Sequence, residues 1–299
     1  MSDRPVYRPN ESSVEALPTR LQMFHAAPLL MLKPHWHAQV EVNFIVEGSV
    51  HYRMHTHELT LNAGQMVLFW GGLPHQMDDL SDDAIYAGGH LPLMHFFRLR
   101  LPEDVPHRLM QGATLLTNAT DESDRVNFAR WNRYARSGDN VKAQHAVNEL
   151  LLRLERVRFE PYELVGDSHA SDPRHDTVEV QSSRNVGLMC DFIAGNFLND
   201  IDSVDIAAAA GLHPKYAMSI FKRATGMTLN DYVSLLRLSY AQALLLREDA
   251  NVLRVAMESG FGSLSAFNKS FRKIAGMSPS DFRRDARDMP VLSSDALAS

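Results

Sequence analysis

Cysteine is almost absent from this 299-residue sequence, in which Cys190 is the single example. A lone thiol excludes a disulfide framework, so we expect a protein of the reducing cytoplasm rather than a secreted one. Long hydrophobic runs are also missing, because no stretch approaches the roughly 18 apolar residues that a membrane helix requires. The first 20 residues lack the apolar core of a signal peptide. These absences favour a cytoplasmic protein without a membrane partner.

An excess of positive charge is missing too, since 30 Lys and Arg against 36 Asp and Glu give a net charge of −6. That value alone argues weakly against a nucleic-acid partner, but the distribution of the charge matters more. Residues 1–184 hold 18 basic and 24 acidic side chains and carry the whole −6, whereas residues 185–299 hold 12 of each. The C-terminal part is therefore neutral overall and does not exclude DNA.

Residues 35–100 show the pattern of short β-strands. The segment VEVNFIV at 40–46 is rich in β-branched residues, and MVLFW at 66–70 is almost entirely apolar. Glycine turns separate such segments at short, regular intervals. This spacing predicts a small barrel or sandwich.

The apolar period becomes helical after about residue 122. Ser137-Gly138-Asp139 divides that region into two predicted helices, a hairpin suited to packing or to formation of a homodimer. A polar, aperiodic segment follows and is predicted to be a linker, after which helical periodicity resumes. We predict an α+β fold with three parts: a cupin-like barrel domain at 1–159, a linker at 160–184 and an all-α domain at 185–299.

The all-α region contains an internal repeat. GMTLNDY at 226–232 corresponds to GMSPSDF at 276–282, and the similarity continues through the residues before each. Each copy predicts a short helix, a glycine turn, a second helix and a capped third helix. This is the helix-turn-helix arrangement, whose second helix can enter the major groove of DNA.

Local signals at the end of each repeat support these helix boundaries. Thr228 and Ser278 each precede an aspartate by three residues, which predicts a helix N-cap. Gly226 and Gly276 are expected to end the preceding helices in the left-handed conformation.

Basic residues without acidic neighbours mark both repeats. Residues 206–230 and residues 259–280 each contain three Lys or Arg and no Asp or Glu, a local charge of +3. Phosphate contacts supply most non-specific DNA affinity, so both segments are candidate DNA-binding surfaces. The alternative is a solvated helix face, and repeat and charge alone leave both open.

The segment AMESGFGSLSAFNKSFRKIAGMSPSDFRR resembles the C-terminal signature of AraC/XylS-type transcription regulators, and GLHPKYAMSIFKRATGMTLNDY is similar to the first helix-turn-helix of that family. HWHAQVEVN in the barrel is similar to the regulators of melibiose operons. The resemblance implies two helix-turn-helix units joined by a long helix, expected here at 230–247. It also implies an activator, not an enzyme, whose partners are promoter DNA and RNA polymerase.

The resemblance and the helix positions together predict the DNA contacts. They are Lys215, Met218, Ser219 and Lys222 in the first recognition helix and Ser263, Ser265, Asn268, Lys269 and Arg272 in the second. Lys222 and Arg272 are expected at phosphates, while Asn268 suits adenine and Lys269 suits guanine. Many family members carry longer polar groups at Met218 and Ser219, which puts direct base reading by the first unit in question.

The predicted barrel contains a group of histidines whose spacing resembles the metal motif of cupins. We expect the surrounding residues to bind a small-molecule effector, a sugar: His35, Trp36, His37, Glu41, Trp70 and His75. A tryptophan face can stack on a sugar ring, although both indoles are equally suited to filling the core.

Three alternatives for this group stay open at the level of sequence. One metal ion could be held by His35, His37, Glu41 and His75, which would allow a metal-dependent cupin enzyme. The effector could be a molecule other than a sugar, or the histidines could be structural. We expect no cofactor. His51, His55 and His57 are expected in solvent near a hairpin tip.

Overall fold

The computed structural model describes residues 6–7, 21–32, 34–117, 122–166, 178–225, 227–247 and 249–288. Strands dominate the chain before residue 166, and the chain from residue 178 onward is helical. The expected α+β fold, with an N-terminal barrel and a C-terminal all-α part, is confirmed. Among the residues described, no helix has the length and apolar character needed to cross a membrane.

The strands of the described chain form three sheets. Their bounds are β1 Val6–Tyr7, β2 Gln22–Ala26, β3 Leu30–Met31, β4 Val40–Glu47, β5 Ser49–Arg53, β6 Glu58–Asn62, β7 Met66–Trp70, β8 Gln76–Leu80, β9 Ile85–Leu91, β10 Thr114–Thr117 and β11 Tyr162–Val165. The large sheet has the order β11-β10-β7-β4-β9-β2, the second has the order β6-β5-β8, and β1 pairs with β3.

Strand β4 is buried on both faces because helices pack against one face of the large sheet and the three-stranded sheet packs against the other. Val42 and Phe44 belong to the apolar cluster that continues into the helices. Ile45 instead joins the apolar cluster that includes Phe69 and Tyr52. Successive side chains of a strand point to opposite faces, so the odd-numbered positions of β4 face the barrel interior.

The segment 160–184 requires a correction to the predicted linker. Tyr162–Val165 is strand β11, which pairs antiparallel with β10, so the large sheet extends into the segment assigned to the linker. The sequence signal failed because four residues at a sheet edge need no apolar run of their own. Residues 167–177 of the predicted linker lie outside the described residues.

The helices before the linker pack against the barrel. They are α1 Leu93–Phe96, α2 Val105–Met110, α3 Glu122–Ala135 and α4 Asn140–Glu155, followed by a 3-10 turn at Arg156–Arg158. The Phe128 ring of α3 stacks on Phe44 of β4 with 5.3 Å between ring centroids. The helix break expected at 137–139 is confirmed, because Asp139 caps α4 by accepting from the amides of Val141 and Lys142.

The C-terminal helices follow the predicted repeat. They are α5 Val178–Asn196, α6 Ser203–Ala209, α7 Pro214–Thr225, α8 Leu229–Leu245, α9 Val252–Glu258, α10 Leu264–Ala275 and α11 Pro279–Asp288. Helices α6 and α7 form the first helix-turn-helix, α9 and α10 form the second, and α8 connects them close to its predicted bounds.

The predicted helix boundaries of the repeat are also observed. Thr228 caps α8 by accepting from the Asp231 amide, and Ser278 accepts from the Asp281 amide at 3.1 Å. Gly276 ends α10 in the left-handed region at φ 72°. Gly226 lies outside the described residues.

Candidate functional site

The second recognition helix, α10, has one buried face and one polar face. Phe267 and Phe271 are fully buried. Four of the predicted DNA contacts lie along one shallow groove on the opposite face: Ser265, Asn268, Lys269 and Arg272. Helical periodicity places them together because residues three and four apart share a face. The groove leaves these groups open to a ligand.

Ser263 has a structural role that the sequence interpretation did not assign. It is the N-cap of α10, and its hydroxyl oxygen accepts a hydrogen bond from the Ala266 amide at 3.1 Å. An N-cap of this kind satisfies one of the unpaired amides at a helix start. The exposed hydroxyl still has a proton to donate, so a DNA contact by Ser263 stays a prediction.

The first recognition helix, α7, has the same two-faced arrangement. Ala217, Ile220 and Phe221 are buried, while the four predicted contacts are exposed: Lys215, Met218, Ser219 and Lys222. The exposed Met218 side chain places an apolar group where base edges would be read. The structure therefore presents these four side chains together without adding a polar group for direct base reading.

The basic charge of the second unit is partly compensated within the domain. Lys273 of α10 donates from Nζ to a carboxylate oxygen of Asp231 on α8 at 2.9 Å. The same bond is the largest influence that lowers the pKa of Asp231. One of the three positive charges counted in the sequence is therefore paired across the domain rather than turned only toward DNA.

Arg237 of α8 bonds the connecting helix to the segment that follows α5, a contact that sequence reasoning missed. Its Nε donates to the Phe197 carbonyl at 2.6 Å and its guanidinium to the Asn199 carbonyl at 2.7 Å, both at the C-terminal end of α5. The turn of the second unit approaches here at Gly260, whose φ is 80°. An added Cβ at Gly260 would lie 2.8 Å from the Leu198 carbonyl oxygen, so only glycine fits this contact.

The histidine cluster of the barrel consists of His35, His37, Glu41 and His75, and the structure brings these four residues together. One ligating atom from each lies within 4.8 Å of the others. Glu41 is at the centre, because its Oε1 lies 2.6 Å from His37 Nε2 and 3.0 Å from His75 Nε2. An isolated antiparallel β-bridge pairs His35 with His75. It joins the segment that carries His35 and His37 to the segment that carries His75.

Second contacts hold the Glu41 carboxylate and the His75 ring in place. Asn43 donates to Glu41 Oε2 at 2.8 Å and also to the Tyr52 hydroxyl at 2.9 Å. His75 Nδ1 lies 2.9 Å from the Leu73 carbonyl oxygen, a distance at which Nδ1 carries the proton and donates it.

Glu41 and His35 in the cluster both have lowered pKa values, for different physical reasons. Burial would raise the pKa of Glu41, but the charge of His75 and hydrogen bonds from His37 and His75 outweigh it and hold the pKa well below its usual range. Burial, reinforced by the neighbouring His75, lowers the pKa of His35 to about 3. A carboxylate beside several imidazoles is a donor set typical of divalent metal sites.

His90 lies beside the cluster and was not identified from the sequence. It is directly opposite Glu41 in the β4–β9 register, and its Nε2 is 3.8 Å from Glu41 Oε1. Its ring stacks on His37 with 4.6 Å between centroids. Burial, followed by the charge of His37, lowers its pKa to about 4. The register of β4 and β9 brings His90 next to Glu41, and the spacing of residues within a sequence motif does not give that register.

The two tryptophans predicted at the effector site are closed off in this structure. Trp36 is only 6% exposed, and its Nε1 donates to the Ala224 carbonyl of α7 at 3.3 Å. Trp70 is 3% exposed, and its Nε1 donates to the Ala38 carbonyl at 3.3 Å. Burial agrees with the core-packing alternative, and neither ring face is open for stacking on a sugar.

The histidines of the β5–β6 turn are not solvated as a group, which corrects the expectation for this hairpin tip. His51 pairs with Asp78 at 2.7 Å, and His57 Nε2 lies 3.1 Å from the Thr114 hydroxyl. His55 packs against α5, and burial lowers the pKa of both His55 and His57, the latter to about 4.

Comparison with known proteins supports the division seen in the structure. A family described as a helix-turn-helix domain matches residues 206–285, and a family described as a cupin domain matches residues 23–86. Together these matches cover the double helix-turn-helix region and the barrel strands that hold the histidine cluster.

Individual relatives align over nearly the whole chain. The Melibiose operon regulatory protein of Escherichia coli (strain K12) is 31% identical over 265 residues, 89% of this chain and 88% of that protein. The HTH-type transcriptional activator RhaR of Yersinia pseudotuberculosis is 24% identical over 86% of this chain and 87% of that protein. A crystal structure of fatty acid-bound ToxT from Vibrio cholerae covers 90% of this chain and 97% of its own at 14% identity, with a TM-score of 0.36, a likeness too weak to inform function.

Proposed function

The chain belongs to the AraC-type family of transcription regulators, and from this we propose that it activates a sugar-utilisation operon in response to a small sugar. The supporting observation is that the similarity to the Melibiose operon regulatory protein includes the barrel as well as the helix-turn-helix region. Its partners in this role are promoter DNA, a sugar effector and RNA polymerase. We propose no enzymatic activity.

We propose that both recognition helices contact DNA on one face. Their polar sides are exposed, and α8 connects the two units. Two helices joined in this way suit successive major grooves, about 34 Å apart. Lys222 and Arg272 would bind phosphates, while Asn268 and Lys269 would contact base edges.

The effector site that we propose is the histidine cluster. Polar groups that converge within an apolar barrel are the usual form of a small-molecule site, and imidazole and carboxylate groups can bind sugar hydroxyls. Trp36 and Trp70 border the cluster but are buried, so a sugar would stack on them only after the surrounding segments move.

A divalent cation is the second candidate ligand for the cluster. The observation that favours it is the convergence of His37 and His75 Nε2 on one Glu41 oxygen, with the His75 Nδ1 proton held by a carbonyl. Metal-bound histidines usually donate their second ring proton in this way. His35, His37, Glu41 and His75 would hold the ion, which would supply a positive charge joining the two barrel segments.

We also propose a homodimer formed through the hairpin of α3 and α4. The hairpin carries exposed apolar side chains, including Val126, Val141 and Leu152, which are each more than half exposed. Exposed apolar groups on an otherwise packed hairpin support a protein contact. We propose that the N-terminal domain extends through β11 and that the C-terminal domain begins with α5.

Replacing His37 by Ala is expected to abolish ligand binding at the cluster, because His37 makes its shortest contact with Glu41. For the sugar, melibiose at 100 times its Kd should stabilise the wild type by about 2.7 kcal/mol, seen as a raised thermal midpoint, and leave H37A unchanged. For the cation, wild-type protein purified with Zn²⁺ should carry about one equivalent by elemental analysis, and H37A should lose it.

The matched control is His25→Ala, which removes a histidine from β2 outside the cluster and should respond as the wild type does. Stabilisation by melibiose without bound metal supports the sugar. Stoichiometric metal without a sugar response supports the cation. If neither galactosides nor Zn²⁺, Mn²⁺ or Ni²⁺ alter the midpoint, the cluster has a structural role and the proposed effector site is wrong.

A further inference from the structure

The barrel meets the first helix-turn-helix and the start of α8 at a small contact, which we call the junction: Trp36, Gly72, Ala224 and Tyr232. The Trp36 indole donates to the carbonyl of Ala224 in the last turn of α7. The Tyr232 hydroxyl, at the start of α8, donates to the Gly72 carbonyl at 3.1 Å. The Trp36 and Tyr232 rings pack edge to face with 5.8 Å between centroids. The barrel is thus joined to α7 by one hydrogen bond and to the start of α8 by a second hydrogen bond and an aromatic contact.

The junction is connected to the histidine cluster in two ways, through the polypeptide chain and through direct packing. Trp36 lies between two cluster members in the sequence, His35 and His37. The His37 amide donates to the Gly71 carbonyl at 2.8 Å. A Cβ added to Gly71 would lie 2.2 Å from the His37 ring, so this backbone rests directly on the imidazole. A displacement of His37 must therefore move Trp36, Gly71 or both.

The internal repeat shows that the Tyr232 hydroxyl is not required for packing of the helices. Tyr232 corresponds to Phe282 in the second repeat, and both rings are buried beside the phenylalanine that precedes them in the repeat, Phe221 or Phe271. The second unit thus fills the same position without a hydroxyl. In the first unit the additional oxygen bonds the barrel and lies beside the Cys190 thiol.

The geometry points to a coupling role for the junction: Trp36 and Tyr232 transmit the state of the histidine cluster to the first recognition helix. The inference rests on the proposed function of that cluster and adds the route of regulation. Ala224 ends the helix that carries Lys215 and Lys222, so movement of Trp36 reorients that helix relative to the barrel. A ligand shifts the populations of two conformations only if it binds one of them more tightly than the other.

The barrel and the helical domain also meet at a second contact. Transmission of the signal through this contact is the alternative to transmission through the junction. Helix α1 packs against α8, where the Phe97 ring lies 5.4 Å from Tyr240 and 5.9 Å from Phe197. This contact lies on the same connecting helix but involves neither cluster residues nor the end of α7. A signal through it would reach both helix-turn-helix units by way of α8.

The test compares full-length variants by hydrogen–deuterium exchange of α7 and the first turn of α8, without added ligand or DNA. H37A should raise exchange in this segment several-fold in the wild-type background. The same change should add less than twofold when Trp36→Phe and Tyr232→Phe are already present, because the two coupling hydrogen bonds are gone. In a Tyr240→Phe background, which removes a hydroxyl from the same helix, the several-fold response should persist.

The Phe282 position indicates that Y232F keeps the core intact, and H75Q replaces H37A if that variant fails to fold. An equal response to the cluster variant in all backgrounds, or a response lost only with Y240F, would assign coupling to the α1 path and overturn the proposal. No response in any background would also overturn it. Ligand binding at the cluster is measured separately by thermal midpoint, so a failed effector proposal and a failed coupling proposal give different results.

Discussion

Replacing Asp124 by Ala is expected to lower the free energy of unfolding by about 3–5 kcal/mol, the usual effect of breaking a buried ion pair. Asp124 of α3 is fully buried and accepts from Arg153 of α4 at 2.6 and 2.7 Å. Arg153 is itself only 3% exposed, so the variant would remove both Asp124 bonds from a buried guanidinium that also donates to Glu160 at 3.2 Å. Urea unfolding followed by circular dichroism measures the loss.

Two further variants separate charge from packing in that measurement. Asp249→Ala breaks an exposed pair with Arg254 and should leave the urea midpoint almost unchanged, because exposed pairs contribute little. Combining Asp124→Leu with Arg153→Met should recover most of the lost stability, since neither charge is then buried alone. A small effect of D124A, similar to that of D249A, would contradict the described burial of the pair.

Replacing Asp191 by Asn is expected to stabilise the chain at pH 8 and to stabilise it progressively less as the pH falls toward 5. Burial raises the pKa of Asp191 to about 7, and its Oδ1 is buried without a hydrogen-bond partner. The folded state therefore favours the protonated acid, and this contribution to stability is lost as the pH rises through 7. A shift of about three pKa units corresponds to at most about 4 kcal/mol, less where water reaches the carboxyl.

The thermal midpoint of wild type and D191N between pH 5 and pH 8 provides the measurement. The difference between the two midpoints should grow with pH and be largest above pH 7. Asp200→Asn, an exposed position near the end of the same helical region, is the control and should give no such trend. A constant difference between wild type and D191N at all pH values would show that Asp191 is ionised throughout.

The repeat, the helix caps and the barrel strands could be predicted from sequence because each is a local signal. Thr228 and Ser278 are caps whose partners lie three residues away, and Gly276 adopts the predicted left-handed conformation. The cluster around Glu41 was also predictable in part, since His35 and His37 lie on the same short segment. Such features depend on nearby residues and on side-chain period alone.

Contacts between distant parts of the chain could not be predicted, because they depend on register and on packing of whole elements. His90 reaches Glu41 only through the pairing of β9 with β4. Trp36 lies in the histidine motif, but its partner is Ala224, 188 residues later in the chain. The pairing of Lys273 with Asp231 shows the same limit for charge, since a local count of +3 does not reveal a partner on another helix.

Selection of operator DNA from random duplexes by the full-length chain tests most directly whether both units contact DNA. The enriched sequences should contain two preferred patches on one face of the duplex, with centres about 10 bp apart. N268A should relax preference at one base pair at a cost of about 1–3 kcal/mol, whereas K222A should keep the sequence and flatten the log–log salt slope by about 0.9. Absence of enrichment, or one uninterrupted patch that N268A leaves unaltered, would contradict the account.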